Sequence, residues 1–320
     1  MFDIGRASDW QVSRAHQLLL SKFLSYAKSD CFPDYWNDVL GESPACAIKR
    51  FADDGYIELC PLEAKVDIKF KATDLKDLLK QRGLKCSGRK SDLVTRLIEY
   101  DRSSLEELTR DVIGFQCTAL GRQPAEKFKA EMDAERNQAE QDVLALLTGR
   151  DFRGAVLRMA KYEALQVFSR GMGIDWKRYN PESDLIVLKA MFDETPQLLM
   201  HIQHDLLDAF RLGAGMMHLL GSSSAKKWFD EMPETGIHLD AETSIRMLFF
   251  FGIHKRKLSD YRCADVRIVE VLGCNDEASC PQCRAIAGKR FPLSRTPELP
   301  LPSCTCTDGC RCTTVSADYM

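Results

Sequence analysis

The stretch TDLKDLLKQRGLKCSGRKSDLVTRLIEY, residues 73–100, is the most informative part of the chain. Leu75, Leu78 and Leu79 recur at the spacing of one helix face, and the pattern returns in the apolar residues of 93–98. Gly83 stands where a glycine ends a helix, and Ser87 is a candidate cap for a second helix. The stretch therefore predicts a compact helix–linker–helix hairpin.

The hairpin carries a local excess of positive charge. Segment 69–102 contains ten Lys or Arg and five Asp or Glu, a net charge of +5; because the whole chain carries −3, the remainder carries −8. Lys85, Ser87, Arg89 and Lys90 surround the start of the second helix, where free N–H groups and the helix dipole favour an anion. This pattern is typical of a surface that faces phosphates. The alternative is a solvated hairpin used for protein contacts.

The segment resembles a SAP domain, a small helix–linker–helix module that binds DNA, often with AT-rich preference. The resemblance rests on Leu75-Lys76, Leu78-Leu79, Arg82-Gly83-Leu84, Ser87-Gly88-Arg89-Lys90, Leu93 and Arg96-Leu97. It implies a DNA-facing surface made by Lys85, Ser87, Gly88, Arg89 and Lys90, with Arg96 and Lys80 as further positions. Contacts of this kind mostly address the phosphate backbone, so we expect weak, salt-sensitive binding with little sequence specificity.

The rest of the chain reads as mainly helical and multidomain. Residues 1–66 predict a helical region with a winged-helix-like end, in which PACAIKRFADDGYIEL (44–59) forms a helix, a turn and a short strand; a plain helix-to-strand packing element is the alternative. The hairpin occupies 67–102, and helical patterns fill 103–262. Residues 263–320 combine a predicted strand with a cysteine-rich, β-containing knuckle element.

Six of the 13 cysteines lie within residues 280–312. The spacing Cys280-Pro-Gln-Cys283 lets two thiolates meet one Zn²⁺, and a second cysteine group about 20 residues later can complete a tetrahedral site. Residues separated by one point to opposite sides of an extended chain, so each Cys-x-Cys pair should supply one ligand. The expected ligands of this structural zinc site are Cys280, Cys283, Cys304 and Cys310, with Cys312 as the next candidate. Disulfides and a disordered cysteine-rich tail are the alternatives.

The same segment has a second resemblance. CPQCRAIAGKRFPL (280–293) and PELPLPSCTCTDGCRC (297–312) are similar to the C-terminal signature of phage Mu-type minor head (head morphogenesis) proteins. Pro302 stands near the place where that family tends to have a histidine, and this chain has additional cysteines. The resemblance implies a prophage or mobile-element setting in bacteria.

A search for catalytic groups finds no convincing set. His201 and His204 share one face of a predicted helix with Asp205 and Asp208 nearby, and His218 follows, but no His-Glu-x-x-His pattern is present. The stretch from Asp184 to Lys189 is only faintly similar to a nuclease strand, because Val187 stands where an acidic residue is required. Ordinary helix histidines are the favoured interpretation, and no catalytic residue is predicted.

The composition of the chain and its N-terminal sequence indicate where in the cell the protein is located. The chain of 320 residues is 45% hydrophobic and 28% charged, as in soluble globular proteins. The N-terminus lacks the layout of a signal peptide, and the apolar run MLFFFGI is far too short to cross a bilayer. We therefore expect a cytoplasmic protein whose thiols are reduced.

These observations predict a DNA-binding protein of bacterial or mobile-element origin with structural zinc as its cofactor. The helical middle domain would form the body or a surface for a protein partner or homo-oligomer. The alternative is a nucleic-acid-processing enzyme, such as a nuclease of a defence system, with its active site within residues 103–262. A phage head-assembly role is a third interpretation.

Overall fold

The computed structural model describes residues 10–171, 173–221, 232–274 and 276–318. Helices dominate this part of the chain, and the prediction of a mainly α protein is confirmed. The chain divides into two compact units, of which the first ends at Ala134 and the second begins at Glu135. None of the described helices is long and apolar enough to span a membrane.

The first unit combines helices with a small antiparallel sheet. Its helices are α1 (Arg14–Ser21), α2 (Tyr35–Leu40), α3 (Pro44–Asp53), α4 (Leu62–Lys69), α5 (Ala72–Gln81) and α6 (Lys90–Leu108), and α7 (Ala119–Thr148) begins here. Its strands are β1 (Ala27–Lys28), β2 (Ile57–Leu59) and β3 (Gly114–Cys117). Strand β3 lies between the other two, with Ala27 opposite Phe115 and Ile57 opposite Cys117. The chain therefore leaves the sheet after β2, forms α4 to α6, and returns in β3.

The hairpin is completed by a third helix that precedes it. Leu75 and Leu79 of α5 and Leu93 and Leu97 of α6 are fully buried against each other, as the spacing of the leucines predicts. Helix α4 adds Leu62, Val66 and neighbouring apolar atoms to the same core. Each fully buried leucine contributes about 1.5–3 kcal/mol, so this cluster accounts for much of the hairpin's stability.

The second unit contains helices α8 (Phe152–Glu163), α9 (Glu182–Asp193), α10 (His204–Leu220), α11 (Ala241–Cys263) and α12 (Pro281–Ile286). Strands β4 (Ile268–Leu272), β5 (Arg290–Pro292) and β6 (Thr313–Ser316) form an antiparallel sheet in the order β5-β4-β6. Gly252 allows α11 to cross α9 closely, because a β-carbon there would lie 2.7 Å from Met191 Cγ and 2.9 Å from the carbonyl oxygen of Val187.

The cysteines of the C-terminal segment belong to the core of this unit. Five of them are buried in the same apolar cluster as the inward faces of α8 to α11: Cys280, Cys283, Cys304, Cys306 and Cys310. The backbone N–H of Cys310 lies 3.1 Å from the sulfur of Met247 on α11. The cysteine-rich segment is thus packed as part of the helical body and not as an exposed tail.

Candidate nucleic-acid interface and metal centre

The hairpin linker begins at a glycine that the chain geometry requires. Gly83 has φ +66°, and the following N–H of Leu84 donates to the carbonyl oxygen of Leu79 at 2.9 Å. This arrangement ends α5 and turns the chain, as Gly83 predicts. Leu84 and Cys86 then pack on the hairpin core, so alternate linker residues point outward.

The second helix starts later than a cap at Ser87 would require. Helix α6 begins at Lys90, and Asp92 Oδ2 accepts the backbone N–H of Arg89 at 2.9 Å. The assignment of Ser87 as the cap is therefore wrong, because Asp92 closes the first turn from inside the helix. Gly88, at φ +128°, allows the chain to pass this carboxylate; a β-carbon there would lie 2.9 Å from Asp92 Oδ2.

Four of the predicted DNA-facing residues are exposed together at this turn. Lys85, Ser87, Gly88 and Arg89 all face solvent, immediately before the first N–H groups of α6. The N–H of Asp92 bonds the carbonyl oxygen of Arg89 at 3.0 Å, and the N–H groups at a helix start carry partial positive charge. The turn therefore exposes two side-chain cations and a hydroxyl next to a helix N-terminus. We call these four residues the linker surface.

The other three predicted residues are engaged within the protein. The ammonium of Lys90 lies 3.0 Å from Asp67 Oδ1, and Arg96 donates to the carbonyl oxygens of Lys85 and Ser87. Arg96 thereby ties the backbone of the linker to helix α6. Lys80 is exposed and pairs with Asp77 at 3.1 Å on the outside of α5.

Asp67 and Tyr26 are residues of this region that the sequence did not reveal. The Tyr26 hydroxyl donates to Asp67 Oδ2, and burial together with this bond raises the pKa of Tyr26 to about 12. Burial also acts to raise the pKa of Asp67, but the hydrogen bonds from Tyr26 and Lys90 outweigh it and hold that pKa below its ordinary value. Asp67 is therefore a charged anchor for Lys90.

Six sulfurs gather at the end of the second unit. The Sγ atom of Cys283 lies 3.6 Å from Cys304 Sγ, 3.9 Å from Cys306 Sγ and 3.8 Å from Cys310 Sγ. Two groups are close enough to share a metal ion: Cys280, Cys283, Cys304 and Cys306, and Cys283, Cys310 and Cys312. All of these cysteines are free thiols in this structure.

The first group differs from the expected ligand set by one residue. It holds Cys280, Cys283 and Cys304 as expected, but Cys306 stands in the place expected for Cys310. The N–H of Cys306 donates to Cys304 Sγ at 3.4 Å, so the chain turns tightly and both sulfurs face inward. Residues separated by one point to opposite sides only where the chain is extended. The tight turn here is not extended, so the sequence did not predict that Cys304 and Cys306 both face the cluster.

Backbone N–H groups donate to two sulfurs of the cluster. The N–H of Cys280 donates to Cys306 Sγ at 3.1 Å, and that of Leu301 donates to Cys310 Sγ at 3.4 Å. A hydrogen bond between the thiols of Cys304 and Cys310 lowers the pKa of Cys310 and raises the pKa of Cys304. Without a cation, a thiolate at Cys310 thus opposes ionisation of Cys304. A bound metal ion would stabilise the thiolate form of both residues.

An ion pair joins the two cysteine segments at their surface. Arg311, between Cys310 and Cys312, donates to both carboxylate oxygens of Asp276 at 2.7 and 2.5 Å, and to Ser279 Oγ at 3.1 Å. The hydrogen bonds from Arg311 lower the pKa of Asp276 to about 2. This contact holds the last cysteine pair against the turn that precedes Cys280.

The histidines of the second unit are dispersed. His201 lies before α10, His204 is exposed at its start 3.3 Å from Asp208 Oδ2, and His218 Nε2 bonds Asp184 Oδ1 at 2.9 Å. The stretch from Asp184 to Lys189 lies inside α9 and is not a strand. Among the described residues, the groups that could hold a metal ion consist of cysteines.

Comparison with known proteins identifies the hairpin. Residues 69–102 match the family model of the SAP domain, and the prediction of a SAP hairpin is confirmed. A SAP domain indicates nucleic-acid binding. The comparisons do not support the resemblance to phage Mu-type head proteins. No curated protein and no solved structure matches the chain.

Proposed function

We propose that this protein binds DNA through residues 67–102, mainly by contacts to the phosphate backbone and with little sequence specificity. The observation that carries the proposal is the linker surface at the N-terminus of α6, within a segment that matches the SAP domain. Lys85 and Arg89 supply the charges, and Ser87 supplies a hydroxyl. Gly88 leaves the backbone open to a close approach of the ligand.

Two further basic residues support this surface through contacts with other parts of the protein. Arg96 holds the carbonyl groups of the linker, and Lys90 ties the start of α6 to Asp67 on α4. A linker held in one conformation before binding loses less conformational entropy when a phosphate arrives. In this proposal Lys90 and Arg96 are positioning residues, and the direct contacts come from the exposed residues before them.

We further propose that the cysteine cluster holds zinc in a structural role. Four thiolates bound at about 2.3 Å in a tetrahedron place their sulfurs about 3.8 Å apart. The distances of 3.6 and 3.9 Å from Cys283 Sγ to Cys304 Sγ and Cys306 Sγ fit this value. A group of four thiolates leaves no open position for a substrate, which is the arrangement of a structural ion.

The test of DNA binding compares salt dependence between variants. Fluorescence anisotropy with a labelled duplex should show that the double change Lys85→Ala and Arg89→Ala weakens binding and reduces the slope of log K against log salt by about 2. The matched control is Lys49→Ala, which removes an exposed lysine of the same unit outside the hairpin. An unchanged slope in the double variant would show that the linker surface does not contact DNA phosphates.

A further inference from the structure

The cysteine cluster contains two more thiols than one tetrahedral ion uses. The first group of sulfurs that could hold an ion is a complete set of four: Cys280, Cys283, Cys304 and Cys306. An ion with four thiolate ligands takes no further ligand of this kind. The thiols of Cys310 and Cys312, which lie close to Cys283, therefore need a different explanation.

A cavity of about 250 Å³ is lined by both of these remaining cysteines. Among the described residues of its walls, the cysteines are Cys310 and Cys312, and the group of four does not contribute. Phe250, Leu299 and Pro300 supply apolar parts of the wall. Cavities of about 150 Å³ already hold a benzene molecule, so this one has room for a small neutral molecule beside the two residues.

The two cysteines differ in exposure and lie close enough to react with each other. Cys312 is partly exposed, whereas Cys310 is 1% exposed. Their sulfur atoms lie within 4.8 Å of each other. A disulfide bond is about 2.05 Å long, so the sulfurs must approach by less than about 3 Å, which is within the reach of side-chain rotation. An accessible thiol next to a second thiol is the arrangement of cysteines that respond to oxidants.

We propose that Cys310 and Cys312 form a redox-active pair, which hydrogen peroxide oxidises to a disulfide while the other four cysteines keep the metal ion. The inference rests on the metal centre of the proposed function. Hydrogen peroxide is small and neutral, and both properties suit a narrow cavity with apolar walls. Larger oxidants, such as a peptide disulfide, do not fit into this volume.

The reaction takes place in two steps. The sulfur of Cys312 attacks one oxygen of the peroxide, the O–O bond breaks, and a sulfenic acid and one water molecule form. The sulfur of Cys310 then attacks the sulfenic sulfur, and the hydroxyl group leaves with the proton of the second thiol as another water molecule. Two thiols and one peroxide thus give one disulfide and two water molecules. A dithiol reductant restores both thiols by thiol–disulfide exchange.

Cys283 is the competing partner for Cys310. Its sulfur lies 3.8 Å from that of Cys310, and it belongs to the group of four. A disulfide between Cys283 and Cys310 would remove a ligand and release the ion. A disulfide between Cys310 and Cys312 leaves all four ligands in place. The fate of the metal therefore distinguishes the two products.

The first test treats the zinc-loaded full chain with hydrogen peroxide and measures the zinc content and the disulfides by mass spectrometry. The peptide that contains Cys310 and Cys312 should lose two hydrogen atoms and resist alkylation, while one zinc ion per chain is retained. Zinc release in step with oxidation, or a pair that stays fully alkylated, would overturn the inference and leave the metal centre in place. A folded, reduced chain that binds no zinc would overturn both.

The second test uses variants of the pair. Cys310→Ser and Cys312→Ser should each keep one zinc ion, and Cys310→Ser should stop at a sulfenic acid on Cys312 that dimedone traps. The matched control is Cys263→Ser, an exposed cysteine of the same unit, which should form the disulfide as the wild type does. Loss of zinc in Cys310→Ser would place Cys310 among the ligands and overturn the pair. The wild-type measurement stands if a variant fails to fold.

Discussion

Lys90 at the start of α6 and Asp67 on α4 join these two helices. The ammonium of Lys90 lies 3.0 Å from Asp67 Oδ1 and donates to the carbonyl oxygen of the same residue at 2.6 Å. A cation held in this way is less available to a phosphate than one that faces solvent. The basic residues of the hairpin therefore divide into those that hold the fold and those that face outward.

We expect Lys90→Ala to act mainly on stability and Arg89→Ala mainly on DNA binding. Loss of the half-exposed pair with Asp67 should lower the free energy of unfolding by about 1 kcal/mol or less, because solvent screens it. Arg89→Ala should leave stability nearly unchanged and reduce the salt slope of binding by about 1. Urea unfolding and anisotropy titrations measure the two effects. A larger loss of salt slope in Lys90→Ala than in Arg89→Ala would contradict this division.

Gly88→Ala should disturb the linker more than Gly83→Ala does. At Gly88 the β-carbon would meet Asp92 Oδ2 at 2.9 Å in a backbone conformation with φ +128°, and we expect a cost of about 1–3 kcal/mol. At Gly83, with φ +66°, no atom lies within 4 Å of the added carbon, so the cost is the conformational strain alone, about 1–2 kcal/mol. Chemical unfolding of both variants checks the order. Equal losses of unfolding free energy in the two variants would show that the side chain of Asp92 moves away from the added β-carbon at no cost.

Arg311→Ala and Asp276→Ala should weaken metal retention in competition with a chelator. Each change frees the segment of Cys310 and Cys312 from the turn before Cys280, so the ligands are less well organised before the metal binds. The control is Arg290→Ala, which removes a comparable surface pair with Glu270 in the same unit. Equal retention in Arg311→Ala and in the control would rule out this organising role.

The same ion pair should survive mild acid. The pKa of Asp276 lies at about 2, below the ordinary carboxyl value of about 3.9, because Arg311 donates hydrogen bonds to it. Its contribution is therefore present above pH ~4 and is lost as the pH falls through about 2. Metal release between pH 6 and 4 should then come from protonation of thiolates, so the steepness of release against pH should be the same in Asp276→Ala as in the wild type, with the midpoint of the variant at somewhat higher pH because its metal is held less tightly. A less steep release in the variant would mean that protonation of Asp276 contributes to release in this pH range.

Removal of the metal should loosen helix α11 as well as the C-terminal segment. The cysteines share a core with α8 to α11, and Cys310 contacts Met247 directly. At a metal concentration about 1,000 times the Kd, binding stabilises the folded state by about 4 kcal/mol, and a chelator removes that amount. Amide exchange should rise in α11 and remain unchanged in α5, which serves as the internal control. Faster exchange confined to residues 304–312 would count against the shared core.

The hairpin was predictable because its signals are local. The leucine spacing of α5 and α6 and the glycine at residue 83 depend on neighbours within a few turns. The anchoring of Lys90 by Asp67 was not predictable, since it joins side chains 23 residues apart through tertiary packing. The sheet shows the same limit, because β3 follows the hairpin and pairs with strands that precede it.

The cysteine cluster was predictable in composition, but the way in which its sulfurs group in space was not. Its spacing indicated a metal site, and the burial of five sulfurs agrees with that interpretation. Because the chain turns tightly between Cys304 and Cys306, the geometry of extended chain does not apply there, and the sulfur of Cys306 faces the cluster together with that of Cys304.

The position of the sulfurs also decides where an expression fragment can end. Residue 262 is the natural stopping point if the cysteine-rich segment is treated as an appendage, but Leu299, Leu301 and the buried cysteines close one side of the helical core. A fragment that stops there would leave that side open to water and prone to aggregation. Truncation experiments on the second unit should keep the chain through β6, whose Ser316 pairs with Val269 of β4.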